Sequence, residues 1–309
     1  MIVKYLQAKY FDYFNPPDIV VLSLVEKGDF NAMLKFFGRG SAFNDMQNSA
    51  YYVNGSTLYL IDCPMSSFNI IRKLGLSWFS PAGNISSIHI LVTHTHSDHI
   101  GGIPMLIHYA YYVWHVPVTV GAPSEEVLSD LRFVFERLEG CASEAYTLTT
   151  ADSFDIVEAV IPTTHTPELE GRCFGFSLNL GGRTVVYTGD TNTLLPFLPY
   201  IDTQAGAASS GAASSGAASS AAASSGAASS AAASSATFSS VSPASGIELY
   251  TEISTSESPV HLYIGSELDT LKGLTEEGVA VYLMHLDNED SVKAEIQGTA
   301  LKLAPLYNE

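Results

Sequence analysis

Thr93-His94-Thr95-His96-Ser97-Asp98-His99 places three imidazoles and a carboxylate within six residues, directly after the apolar run Ile88 to Val92. Four side chains able to coordinate a divalent cation, crowded onto one strand-to-helix loop, would repel or waste one another unless a metal held them together. The stretch therefore reads as a metal site, and a site of this kind needs further ligands from elsewhere in the chain. Three candidates lie downstream, each beside an apolar run. They are His165 in Ile161-Pro-Thr-Thr-His165-Thr, Asp190 in Val185-Val-Tyr-Thr-Gly-Asp190-Thr, and His285 in Val281-Tyr-Leu-Met-His285. Ligands in layered α/β proteins sit where strands end and loops begin, so separate strand ends converging on one rim is the expected geometry. His89, His108 and His115 fall outside this pattern and read as structural.

The HxHxDH stretch with these outlying residues resembles the signature of the metallo-β-lactamase-fold hydrolases. Leu58-Tyr-Leu-Ile-Asp62 matches that family's first acidic motif. The resemblance implies an α/β fold, a four-layer αββα sandwich, and two divalent metal ions. One ion would fall to His94, His96 and His165, and the other to Asp98, His99 and His285. Asp190 would bridge them, and Asp62 would orient the histidine loop from behind. Imidazole-rich ligation favours zinc, while mixed His and Asp ligation also suits manganese, iron or nickel.

Further motifs narrow the branch. Leu34-Lys-Phe-Phe-Gly-Arg-Gly-Ser-Ala-Phe43 looks like the opening strand and glycine turn of the tRNase Z branch and its phosphodiesterase relatives. Leu249-Tyr-Thr-Glu252-Ile-Ser254 resembles that branch's His-Glu-Ala-Thr motif, and Val260-His261-Leu-Tyr263 its His-Ser-Thr motif. The match is partial: Thr251 stands for the first histidine and Leu-Tyr for Ser-Thr. The retained Glu252 and His261 are the chemically important pair. In phosphodiester cleavage by a hydroxide held between two metals, the leaving alkoxide needs a proton, which His261 could supply while Glu252 fixes its tautomer. The resemblance thus implies catalytic roles for Asp98, Glu252 and His261. It points to a phosphodiesterase acting on a small diester, cyclic and nucleotide-derived ones included. A carbonyl hydrolase, such as a lactonase or thioesterase, and a metal-bound module without catalysis stand as alternatives.

The branch's long tRNA-binding arm would fall between His165 and Asp190, and the 25 residues from one to the other (190 − 165) hold only a hairpin. Composition agrees. The chain has 32 acidic against 14 basic residues, a formal net charge of −18, and no cluster of Lys and Arg on which a phosphate backbone could dock. A small anionic substrate is expected, with no long nucleic acid. No stretch has the ~18 uninterrupted apolar residues a membrane span needs, and Met1 to Asn15 carries Lys4, Lys9 and Asp12 in place of a secretory core, so a cytoplasmic protein is expected. The three cysteines, Cys63, Cys141 and Cys173, have neither zinc-finger nor disulfide spacing.

The 309 residues divide into an N-terminal aromatic extension, 1–32, and a hydrolase domain, 33–309, interrupted at 205–236. Tyr5, Tyr10, Phe11, Tyr13 and Phe14 lie on an expected short helix, followed by a strand at Ile19 to Val25; these rings pack on the core, form a homodimer contact or cover the site. Residues 205–236 contain only Ala, Gly and Ser and repeat as pentads from Gly206 to Ser235. Such a segment is a flexible linker with nothing to bury, and its regularity reads as an engineered insertion or replacement. Strands are expected at 33–37, 49–53 and 57–61, helices at Met65 to Leu74, Ile100 to Tyr112 and Ser124 to Glu139, and a hairpin over Cys173 to Tyr187.

Overall fold

The computed structural model describes residues 32–80, 84–201 and 246–309. The expected aromatic helix, the strand at Ile19 to Val25 and the Ala/Ser/Gly linker lie outside the described residues. Two six-stranded sheets form the centre. The first runs β1 (Lys35–Gly38), β2 (Ser49–Asn54), β3 (Thr57–Ile61), β4 (Ser87–Leu91), β5 (Val118–Ala122) and β6 (Thr147–Thr150) in that spatial order. The second runs β12 (Lys302–Leu303), β11 (Ala280–Met284), β10 (Ile247–Glu252), β9 (Arg183–Tyr187), β8 (Cys173–Leu180) and β7 (Val157–Thr163). In chain order each sheet begins with antiparallel pairs, of which β2–β3 and β8–β9 are joined by tight turns, and continues in parallel.

Period-two alternation sorts the apolar residues into layers, because successive side chains of a strand point to opposite faces. On β3, Tyr59 and Ile61 enter the layer between the sheets, while Leu58 and Leu60 pack outward beneath helices α1 (Met65–Leu74), α3 (Ile103–Tyr109) and α4 (Glu125–Arg132). On β11, Tyr282 and Met284 face inward, and Val281 and Leu283 pack under α5 (Ile264–Glu276) and α6 (Glu289–Glu295). Three apolar layers separating helix, sheet, sheet and helix make the αββα sandwich. Among the described residues no helix is long and apolar enough to cross a membrane.

Three local expectations are corrected. Lys35 begins the first strand, because Met33 leaves the sheet to donate its N–H to Glu248 (2.9 Å). The helix expected to start at Ile100 is preceded by a single turn, α2 (Ser97–Ile100), so Asp98 and His99 sit on helix and not on loop. The helices expected to reach Tyr112 and Glu139 widen into π-type turns at Ala110–Trp114 and Phe133–Leu138, where bonds span an extra residue, as in Glu139 N–H to Val134 O (3.0 Å). Cys63, Cys141 and Cys173 are buried and unpaired, and burial pushes the Cys63 thiol upward.

Candidate metal centre

The site is assembled at one rim of the sandwich. Parallel pairing of Ile61 with Leu91 brings the ends of β3 and β4 side by side. Asp62, at φ 58°, turns its carboxylate back onto the loop after β4, where it accepts from Thr93 N (2.8 Å), Thr93 Oγ1 (2.8 Å) and His99 Nδ1 (2.8 Å). Thr93 Oγ1 has one proton and gives it to Asp62, so towards His94 Nδ1 (3.1 Å) it acts as acceptor. His94 and His99 are thereby each held with Nδ1 protonated and the Nε2 lone pair turned to the rim. From the second sheet, His165 follows β7 and donates Nδ1–H to Val260 O (2.7 Å). Asp190 follows β9 through Gly189, at φ 61°, where a Cβ would lie 2.6 Å from Phe174 O; only glycine lets the chain pass there. His285 follows β11 in the left-handed region at φ 50°.

These seven side chains gather into two groups. The donor atoms of His94, His96 and His165 lie within 4.8 Å of one another, as do those of Asp98, His99, Asp190 and His285. Asp190 sits between the two: Oδ2 is 3.7 Å from His165 Nε2, 3.9 Å from His94 Nε2 and 3.3 Å from His285 Nε2, and Oδ1 is 3.4 Å from His99 Nε2.

The donor set fits divalent cations on several counts. His99 Nε2 and Asp190 Oδ1 are buried without a hydrogen-bond partner, and such orphans at a rim of ligands call for an ion. His94 Nε2 and His96 Nδ1 stand 3.0 Å apart, close to the roughly 3.3 Å separating two nitrogens on one tetrahedral zinc. Burial and the neighbouring imidazoles push His94 and His96 below the ordinary histidine range, which keeps them neutral and able to coordinate. Negative charge is in excess. Burial opposes protonation of His285, yet Asp190, Asp98 and Glu252 outweigh it and push that ring up to about 10; Asp190 and Asp62 likewise raise His99 well above the ordinary histidine range against its burial. Asp190 itself is held well below the carboxylate range by His285 and His99 despite its burial.

Glu252 and His261 stand beside this cluster. The buried carboxylate ends β10, its Oε1 accepting from Thr191 N–H and its Oε2 from His261 Nδ1 at 2.6 Å. The Oε2 atom also lies 3.7 Å from His285 Nδ1, so one carboxylate faces both histidines. Burial lowers the His261 pKa and the bond from Glu252 raises it, with a net rise. Its ring packs against those of His165 (4.9 Å) and His285 (5.5 Å) and lines an open cavity of about 570 Å³ over the rim. Thr251, where the branch motif has histidine, is buried with its hydroxyl on the Glu252 carbonyl.

The structure thus brings together all ten residues singled out in the sequence. His89 stacks on Phe154 (4.8 Å), His108 on Tyr112 (6.2 Å), and His115 bonds to Tyr111 O; all three belong to none of the described metal-capable groups. Sequence reasoning missed Thr93, the Thr191 amide and the Val260 carbonyl. Thr93 carried a signal, a hydroxyl directly before the first histidine. A backbone donor or acceptor carries none.

A family model described as the β-lactamase superfamily domain matches residues 57–210. Lactamase-like protein nscB of Neosartorya fischeri is 31% identical over 111 residues, 33% of this chain and 32% of that protein, so the chain aligns with about a third of that relative's length. The metallo-β-lactamase fold protein YhfI of Bacillus subtilis superposes with a TM-score of 0.54 at 14% identity, covering 88% of this chain and 95% of YhfI. A diphosphatase from the PhnP family gives 0.53 at 15% identity, covering 88% and 94%. With its sandwich shared by these structures and the run from β3 through β9 matched by the superfamily model, the chain belongs to the metallo-β-lactamase superfamily.

Proposed function

We propose that the protein is a binuclear metal-dependent phosphodiesterase acting in the cytoplasm on a small anionic diester. His94, His96 and His165 would hold one ion, Asp98, His99 and His285 the other, with Asp190 shared. Bound there, two divalent cations, zinc foremost, supply Lewis acidity and a nucleophile drawn from water at neutral pH. The chain's own residues do the rest. Asp62 and Val260 O fix ligand tautomers. Glu252 holds the Nδ1 proton of His261, so the ring's other nitrogen is the one that gives a proton to the departing oxygen.

The observation that carries this reading is the 2.6 Å contact between His261 Nδ1 and Glu252 Oε2, on a ring that lines the cavity beside Asp190. Cleaving a phosphodiester with a poor leaving group needs such an acid; opening a thioester or an activated acyl bond needs it far less. A cavity of about 570 Å³ suits a small substrate, and the net charge of −18 gives a long polyanion nothing to dock on.

The test is hydrolysis of bis(p-nitrophenyl) phosphate and of a diester with an alkyl leaving group by protein loaded with zinc or manganese. Asp190→Ala should abolish turnover of both. His261→Ala should slow the alkyl diester by about 100-fold or more and the p-nitrophenyl diester less, because a good leaving group needs little protonation. Absence of turnover with two metals bound would sink the reading and favour lactone or thioester substrates.

A further inference from the structure

The loop between β1 and β2 carries a side chain that folding does not explain. Phe43 is fully exposed (103%), the most exposed large apolar residue described, and it lies on the wall of the cavity over the metal-capable cluster. Leaving a phenylalanine wholly in water forgoes the favourable burial that rings such as Phe36 and Phe37 obtain.

The loop beneath it is braced. Gly40 N–H donates to Met46 O (3.0 Å), Asn44 N–H to Ser41 O (3.0 Å) and Gln47 Nε2 to Ala42 O (3.0 Å), which closes the turn around Phe43. A Cβ on Gly40 would stand 2.5 Å from Asn44 Cβ, so the loop is this tight only because that position is glycine. The loop is also registered to the site. Ser41 N–H and Asn44 Nδ2 both donate to Leu286 O (2.9 and 3.0 Å), and Leu286 N–H donates to Arg39 O (2.8 Å), one residue beyond His285. The backbone that carries Phe43 is therefore held in register with His285.

The rest of the lining says what could lie against it. Among the described residues the cavity wall has neither lysine nor arginine; besides Phe43 it presents Ser256, Ser258 and Val260. The places in it that can neutralise an anion are the metal-capable cluster and the adjoining His261. A substrate with a second phosphate would leave that charge unpaired in the cavity.

We propose that Phe43 is the specificity-determining residue of the site, selecting a substrate with a single phosphoryl group and a flat aromatic ring, which stacks on Phe43 while the phosphoryl group sits at the metal-capable cluster. This deepens the phosphodiesterase reading and rests on it for the phosphoryl group. Offset stacking of two rings is favourable beyond the area it buries, and on an open wall it discriminates rings from alkyl groups by about tenfold.

Two non-hydrolysable probes test it, phenylphosphonate and methylphosphonate, titrated calorimetrically into the zinc-loaded full chain, wild type beside Phe43→Ala and Phe43→Tyr. Wild type should bind phenylphosphonate about tenfold tighter than methylphosphonate, Phe43→Tyr should keep that ratio, and Phe43→Ala should bring it close to one. A ratio unchanged in Phe43→Ala, or near one already in wild type, overturns the proposal, and absence of binding by either probe does so too. Because binding is read without turnover, the two readings separate. A Phe43-dependent ratio in a protein that hydrolyses no diester would overturn the phosphodiesterase reading alone. Diester hydrolysis with no Phe43-dependent ratio would overturn this inference alone.

Discussion

Asp62 accepts three hydrogen bonds with one carboxylate, from the amide and hydroxyl of Thr93 and from His99 Nδ1, all in a fully buried setting. It thereby positions the loop that carries His94 and His96 and the tautomer of His99. Asp62→Asn is the clean probe, because asparagine tolerates the positive φ of 58° that alanine would strain against. An amide oxygen can accept from two of the three donors, and its NH₂ is set against the third. Metal affinity should fall by about 10- to 100-fold, and the metal-free protein should lose roughly 1–3 kcal/mol. Chelator competition and denaturant melts measure the two effects; unchanged metal affinity would show that His99 needs no help from Asp62. This scale was the most legible in sequence. An acidic residue after an apolar run, three histidines at fixed spacing and three strand-end partners are chemistry written in side chains. Val260 O and Thr191 N–H, which hold His165 and Glu252, are backbone atoms that any residue would supply.

At the level of elements, apolar runs revealed β3, β9 and β11, because each strand packs against a different apolar layer on either face, and a ligand follows within a few residues of each run's end. What periodicity could not reveal was how helices begin and end. The turn α2 is too short to show a period, and the π-type turns depend on how α3 and α4 close against their neighbours. Gly38-Arg39-Gly40 read as a turn, yet Arg39 is nearly buried and grips Glu289 on α6 through two bonds (3.0 and 2.9 Å), Glu309 through two more (3.2 Å each) and Ala304 O (2.7 Å). This clamp joins the first strand's turn to the last helix. The bond from Arg39, with that of Lys293, holds the Glu289 carboxyl at about 2, below its ordinary 4.5, against the effect of partial burial. A depressed carboxyl stabilises the fold fully above about pH 4.5 and loses that contribution as pH falls towards 2. Glu289→Gln should therefore destabilise by about 1 kcal/mol near neutral pH, a small figure because Glu289 is 37% exposed and screened. Stability curves of wild type and variant should converge between pH 4.5 and 2. Parallel curves over that interval would place the stabilisation elsewhere.

Over the whole molecule, the metal-capable cluster is built from both halves of the sandwich. His94, His96, Asp98 and His99 hang from the end of β4, and His165, Asp190 and His285 from β7, β9 and β11. Protein contacts also join the two halves, as through Phe174 N–H to Thr93 O (3.1 Å), the Phe36 to Pro305 bond (2.9 Å) and the Arg39 clamp. Between them lies a concentration of buried carboxylate, Asp62, Asp98, Asp190 and Glu252, whose mutual repulsion folding must overcome when only imidazoles stand by. Divalent cations held there would cross-link the two sheets and cancel that charge at once, so metal binding is linked to folding of the sandwich as a whole. At a free metal concentration 1,000 times the dissociation constant the linkage contributes about 4 kcal/mol, which for a chain of this size raises the melting temperature by about 10 °C. Chelation should lower the calorimetric Tm by that order, addition of zinc or manganese should restore it, and the recovered Tm should climb with the logarithm of free metal. A Tm indifferent to chelation, in protein shown to have lost its metal, would mean that the two sheets are held by their apolar layer alone and that the cluster's charge is already balanced by its histidines.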